Sequence, residues 1–286
     1  MKPEGLYVPA SAGKRSLSPT SHEGVCHEKE ICHRQLLIFF EFLWEPLTGL
    51  LSPLGSLAEA IMQMIRDMKK KVEEYWDYLY QKDPYNRSIL EGTVKPEMIS
   101  FFLANIHYLV QHTPIHLKKA MAIAESRGDK KLKEYFALKM KEESGHDKWA
   151  EADLEKLSRQ HERAVRGQCI DPSMVRLIKH IESLIERDPH LYLAYIFFAE
   201  YLCVIYGPDI TQALERTCGY PARSMTVIEN HAALDKEHVH EWETVLPGLV
   251  GESRYREVFL KTVDETITIH RAFFLSCASP KHEDAA

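Results

Sequence analysis

Three groups of imidazole and carboxylate side chains carry most of the chemistry that this sequence offers. In Glu229–Glu243 (ENHAALDKEHVHEWE), His231, Asp235 and His238 stand at i, i+4 and i+7. At about 100° per residue, Asp235 falls about 40° to one side of His231 and His238 about 20° to the other, so all three share one helical stripe. His240 falls near the opposite face and Glu237 well off the stripe. Two imidazoles flanking a carboxylate suit a borderline transition metal, although a solvated, charged helix face has the same spacing. A second group, Glu143-x-x-His146, lies in KMKEESGHDKWAEADL, with Glu142 one residue earlier and within reach of the same side. The third is a single residue. Glu200 sits inside LYLAYIFFAEYLCVIY, an apolar and aromatic segment with no basic residue. A buried carboxylate there needs a proton, a donor network or a cation.

These groups complement one another. Helical bundles that hold two metals project lone carboxylates and carboxylate-x-x-His pairs into a shared core. Glu143/His146 and Asp235/His238 supply two such pairs, Glu200 one lone carboxylate, and His231 stands where a second would be. Three histidines and three carboxylates amount to three protein ligands per metal, which leaves coordination positions for small molecules.

The elements that must position these residues read as helices throughout, with no alternating strand pattern. Punctuation places them at about 54–81, 96–127, 129–157, 171–187, 188–207, 221–245 and 251–276. Asp171-Pro172 and Asp188-Pro189 have the residue types of a cap followed by a first turn. Gly207-Pro208 is expected to close one helix, and Pro114 to kink or break another. About seven helices with short connections predict an all-α, single antiparallel bundle. Residues 1–33 are expected to be a mobile N-terminal tail, 34–278 one helical domain and 279–286 a mobile C-terminal tail. The apolar stretch Leu36–Leu51 would serve as a dimer arm, a lid or an extra core helix.

Composition excludes several classes. With 36 Lys+Arg against 42 Asp+Glu and a net charge of −6, there is no basic face for nucleic acid. No uninterrupted, uncharged run of membrane-spanning length occurs. The N-terminus lacks a secretion signal's apolar core. Six dispersed cysteines do not make a disulfide framework. Cys26-His27 and Cys32-His33 lack a zinc-site partner set. A reduced, cytoplasmic protein is expected.

At the chemistry-bearing residues the sequence resembles the haem-oxygenase-like di-iron oxidases and oxygenases, also called iron-containing redox enzymes. The resemblance runs over roughly residues 55–276. It rests on Glu142-x-x-Gly145-His146-x-x-Trp149, the later apolar helix with Glu200, and the closing His231-x-x-x-Asp235-x-x-His238. It implies a seven-helix haem-oxygenase-like bundle, here with an additional N-terminal segment. It also implies two iron ions held by Glu143, His146, Glu200, His231, Asp235 and His238. Several members place the first carboxylate seven or ten residues before the histidine. Those positions here are Lys139 and Phe136, so Glu142 stands as a substitute for Glu143. The implied activity is an O2-dependent oxidation of a small amine, amino-acid or fatty-acid-like substrate in specialised metabolism, with an external reductant and a homodimer both compatible.

Substrate contacts are sought in FFLANIHYLVQHTPIHL, where His107, Tyr108 and His112 could meet a cavity opened near Pro114, or simply satisfy backbone carbonyls. Tyr192, Tyr195 and Phe198 read as core rather than an aromatic cage. Two other classes fit the helical pattern. One is a metal-free relative acting on a thiamine- or quinone-like molecule, with Glu200 as acid or base. The other is a non-enzymatic metal-binding helical protein.

Overall fold

The computed structural model describes residues 53–165, 168–220, 224–250 and 255–280. The N-terminal tail, the Leu36–Leu51 stretch, the two Cys-His dipeptides and the chain beyond 280 lie outside them. Among the described residues the architecture is all-α. The helices are α1 (Pro53–Lys82), α2 (Pro84–Leu90), α3 (Pro96–Ser126), α4 (Lys130–Glu143), α5 (Asp147–Gln160), α6 (Glu162–Val165), α7 (Pro172–Arg187), α8 (His190–Cys218), α9 (Thr226–Leu249) and α10 (Tyr255–Cys277). Asp171 caps its helix as expected, accepting a hydrogen bond from the Ser173 amide, and Asp188 accepts one from the His190 amide at 3.1 Å. Asp83 and Asp129, not among the expected caps, do the same for the helices that follow them. Each satisfies an amide that has no partner within the helix.

Of the boundaries that differ from the sequence expectation, three bear on the helices around the site. Pro114 does not break α3, which runs on to Ser126 while packed along α4, α5 and α7. Proline forfeits one internal hydrogen bond, and tertiary packing on several sides outweighs that loss. The expected helix over 129–157 divides into α4 and α5 at Ser144-Gly145-His146, where Gly145 takes φ +88°, a left-handed conformation other residues adopt at a cost. Gly207-Pro208 does not close α8, which continues to Cys218 and ends before Gly219.

Gly207 has a different role. α8 packs most extensively against α9, and a β-carbon at 207 would lie 2.7 Å from Ala232 Cβ and 3.3 Å from Ile228 Cγ2. The glycine lets two helices that carry site residues approach closely. Gly207→Ala would gain helix propensity of about 1 kcal/mol. The clash with an atom fixed to the backbone dominates, so a net loss of about 1–2 kcal/mol is expected. Thermal melts of Gly207→Ala and of the Gly207→Ala/Ala232→Gly pair check this; only the single variant should melt lower.

α8 is long and apolar enough to cross a membrane by length and composition, but 67% of its most apolar window is buried within the protein. Leu193, Ala194, Phe197 and Leu214 on it are fully buried. Its apolar character therefore serves the bundle core, consistent with a helix that is hydrophobic on most sides.

Candidate metal centre

Glu143 is the last residue of α4, and His146 follows it in the bend before α5. Glu200 lies on α8, and His231, Asp235 and His238 lie on α9. Tertiary folding brings these residues into two clusters. One ligand-competent atom each of Glu143, His146 and His231 lies within 4.8 Å of the others, and the same is true of Glu200, Asp235 and His238. The bend at Gly145 means that Glu143 and His146 do not share a continuous helix face, yet His146 Nδ1 stands 3.1 Å from Glu143 Oε2. His231 Nε2 is 3.9 Å from the same oxygen. His240 and Glu237 are exposed, on the far side of α9 from the clusters. Glu142 belongs to neither cluster. Its Oε2 faces Lys139 Nζ at 3.3 Å and His238 Nε2 at 3.5 Å.

Backbone and neighbouring groups set the orientation of these side chains. His231 Nδ1 lies 2.7 Å from the Val227 carbonyl. A carbonyl only accepts, so the proton sits on Nδ1, and Nε2 faces Glu143. Glu200 Oε2 accepts a 2.6 Å hydrogen bond from Trp242 Nε1. Glu200 Oε1 lies 2.9 Å from Lys139 Nζ and 3.5 Å from His238 Nδ1. The cation missing from the Glu200 segment thus arrives from α4, a neighbour that no reading of α8 alone reveals. The ion pair lacks hydrogen-bond alignment: Lys139 Nζ, Glu200 Oε1 and Glu142 Oε2 are all buried without a hydrogen bond. Buried polar atoms of this kind are rare without an ion, water or functional role.

The electrostatics follow from burial opposed by close charges. Burial would raise the Glu143 carboxyl, but His146 and His231 hold it well below the ordinary carboxylate range. Burial would lower His231 and His238; Glu143 nevertheless raises the first, and Asp235, with Glu200 and Glu142, raises the second to about 9. Burial raises Asp235. Burial opposes the Lys139 charge, yet Glu200 and Glu142 lift its pKa well above the lysine norm. Their carboxylate neighbours thus favour the charged forms of His231 and His238, and a metal bound there would displace those protons.

A cavity of about 150 Å³ adjoins the clusters, with Glu143, Glu200, His231 and Asp235 in its wall. The rest is mainly apolar. α3 contributes Ile106, Leu109, Val110, Thr113 and Leu117, and α8 contributes Tyr192, Tyr195, Ile196 and Phe198. His107, Tyr108 and His112 are not in the wall of this cavity. The wall uses the i, i+3/i+4, i+7 stripe that begins at Ile106, and those three residues project from other sides of α3. His112 Nδ1 instead meets the Tyr108 carbonyl at 2.7 Å. Tyr192 and Phe198 are core residues as expected, but together with Tyr195 they also form cavity wall.

Sequence reasoning missed four contributors. Lys139 stands at i−4 from Glu143, on the same stripe, a spacing that could have flagged it. Trp149 stacks on His146 with ring centroids 4.0 Å apart. Trp242 follows His238 by one helical turn. His270 from α10 lines the cavity, with Nδ1 3.0 Å from the Tyr75 hydroxyl; nothing nearby in sequence marked it.

No protein-family model matches the chain, and no curated protein does either. Solved structures do. A domain of unknown function with a heme oxygenase-like fold from Shewanella denitrificans OS217 aligns with TM-score 0.65 at 17% identity, covering 73% of this chain and 89% of that one. A TenA homolog from Pseudomonas syringae pv. tomato aligns with TM-score 0.52 at 12% identity, covering 82% and 98%. The fold is haem-oxygenase-like.

At these identities the likeness concerns the fold alone. Within the haem-oxygenase-like bundle, α4, α8 and α9 carry the polar clusters, while α3 and α10 complete the cavity wall. The arrangement can do two things chemically. Its carboxylates and imidazoles can hold divalent metal, since each cluster offers three donors of the types that bind iron or zinc, in buried surroundings. Its apolar cavity can hold a small molecule beside them.

Proposed function

We propose that this chain is a non-haem di-iron oxidoreductase that uses dioxygen to oxidise a small, largely apolar organic substrate. The observation that carries the reading is the pair of three-residue His/carboxylate clusters, one half-buried and one mostly buried, both adjoining one apolar cavity. Glu143, His146 and His231 would hold one metal, and Glu200, Asp235 and His238 the other. Bound iron would supply the reduction of dioxygen coupled to substrate oxidation, with an external reductant where the substrate gives up only two electrons.

The chain's own residues do the rest. Val227 fixes the tautomer of His231, and Trp242 fixes the carboxylate of Glu200. Leu109, Val110, Leu117 and Ile196 keep water from the substrate and orient its apolar body. The small cavity favours a compact substrate or one compact end of a longer one.

Anaerobic Fe(II) titration with metal analysis is expected to show up to about two irons per chain, with a transient visible absorbance after oxygen is admitted. His231→Ala should lose the iron held with Glu143 and His146. Unchanged iron loading in that variant would sink the assignment.

A second reading has one observation in its favour: the Lys139–Glu200 ion pair partly neutralises the second cluster without any metal. On that reading the chain is a metal-free enzyme with Glu200 as an acid/base group. Full turnover in excess chelator by protein shown to lack metal would decide for it.

A further inference from the structure

The two clusters differ in one respect that the ligand types alone do not show. The neighbours of Glu143 within its cluster are the His146 and His231 imidazoles, 3.1 and 3.9 Å from its Oε2 and themselves metal donors. Glu200 instead has both oxygens engaged from outside its cluster: Oε2 accepts from the Trp242 indole at 2.6 Å, and Oε1 is ion-paired with the Lys139 ammonium at 2.9 Å. The Lys139 side chain is 5% exposed and cannot shed its charge into solvent by rotating outward. Its alternative partner is at hand, because Glu142 Oε2 lies 3.3 Å from the same ammonium and makes no hydrogen bond.

We infer that the Lys139 ammonium serves as the resident cation of the Glu200–Asp235–His238 cluster. A divalent metal therefore fills Glu143–His146–His231 first and enters the second cluster only when Lys139 withdraws to Glu142. The inference rests on the di-iron reading above and deepens it by ordering the two sites. Like charges a few ångströms apart in a buried site repel strongly, so metal and ammonium compete for Glu200 Oε1.

Anaerobic titration with Co(II) alone, followed by its visible absorbance and by calorimetry, reads the two affinities separately. In the wild-type chain the second equivalent is expected to bind at least about tenfold more weakly than the first, a difference of about 1.4 kcal/mol. In Lys139→Met the two affinities should converge to within roughly threefold, and Lys139→Arg, which keeps the charge, should preserve the gap. His146→Ala should lose the tight equivalent and His238→Ala should keep it, a pair that decides the order of filling; an unchanged gap in Lys139→Met would overturn the role of the ammonium. Two equally tight equivalents in the wild type, or loss of the tight one in His238→Ala, would overturn the ordering while leaving the di-iron reading standing. No Co(II) or Fe(II) binding by the wild-type chain would overturn both.

Discussion

Glu200→Ala is expected to destabilise the metal-free protein by about 3 kcal/mol, the lower end of the range for breaking a buried ion pair. The variant leaves Lys139 buried with Glu142 as its remaining carboxylate at 3.3 Å, and leaves the Trp242 indole without its acceptor. The cost arises from the stranded charge more than from lost attraction. Replacing both members with apolar residues of similar volume should therefore recover most of the stability. Denaturant unfolding of Glu200→Ala, Lys139→Met and Glu200→Leu/Lys139→Met in chelator measures this directly. Additive losses in the double variant would mean that the two side chains do not interact in solution, contrary to their 2.9 Å separation.

The second large effect is acid lability. Burial lowers His116 and His270 to a pKa of about 3 each, so both stay neutral in the folded chain. Unfolded, each would titrate near 6.5. Their contribution is complete above about pH 6.5 and is lost as pH falls, because the unfolded chain takes up protons that the folded chain refuses. Each costs about 1.4 kcal/mol per pH unit in that window, so the pair removes about 4 kcal/mol between pH 6.5 and 5. His238, raised to about 9, has the opposite sign: its contribution is complete below 6.5 and fades only as pH rises toward 9. It therefore leaves the acid slope unchanged. Chelator-treated protein unfolded by urea at pH 7, 6 and 5 should lose stability steeply. His116→Leu and His270→Asn should each flatten the slope by about 1.4 kcal/mol per pH unit; slopes unchanged in both would show that these imidazoles reach water.

Much of this protein is written locally. The Asp-Pro punctuation at 171–172 marks a helix start that forms with the expected cap, because the Asp side chain and the Pro ring act within one turn of chain. The one-stripe placement of His231, Asp235 and His238 is likewise a property of helical pitch, and α9 brings all three to the same side. The break at Gly145 was less legible. The pattern over 129–157 places Gly145 and His146 inside one helix, and only the turn between α4 and α5 requires the left-handed backbone at Gly145. Pro114 and Gly207-Pro208 misled in the other direction, since local breakers yield when a helix is packed on several sides.

The sequence by itself determined the helical class, most helix starts and the list of imidazoles and carboxylates able to bind metal, since each depends on neighbours within about two turns. Tertiary structure decided which of those side chains meet, that Lys139 from α4 faces Glu200 of α8, and that Ile106 and Leu109 rather than His107 and Tyr108 wall the cavity. Those outcomes depend on how separate helices rotate and cross, which is set by packing across the whole bundle and by contacts such as Gly207 against Ala232.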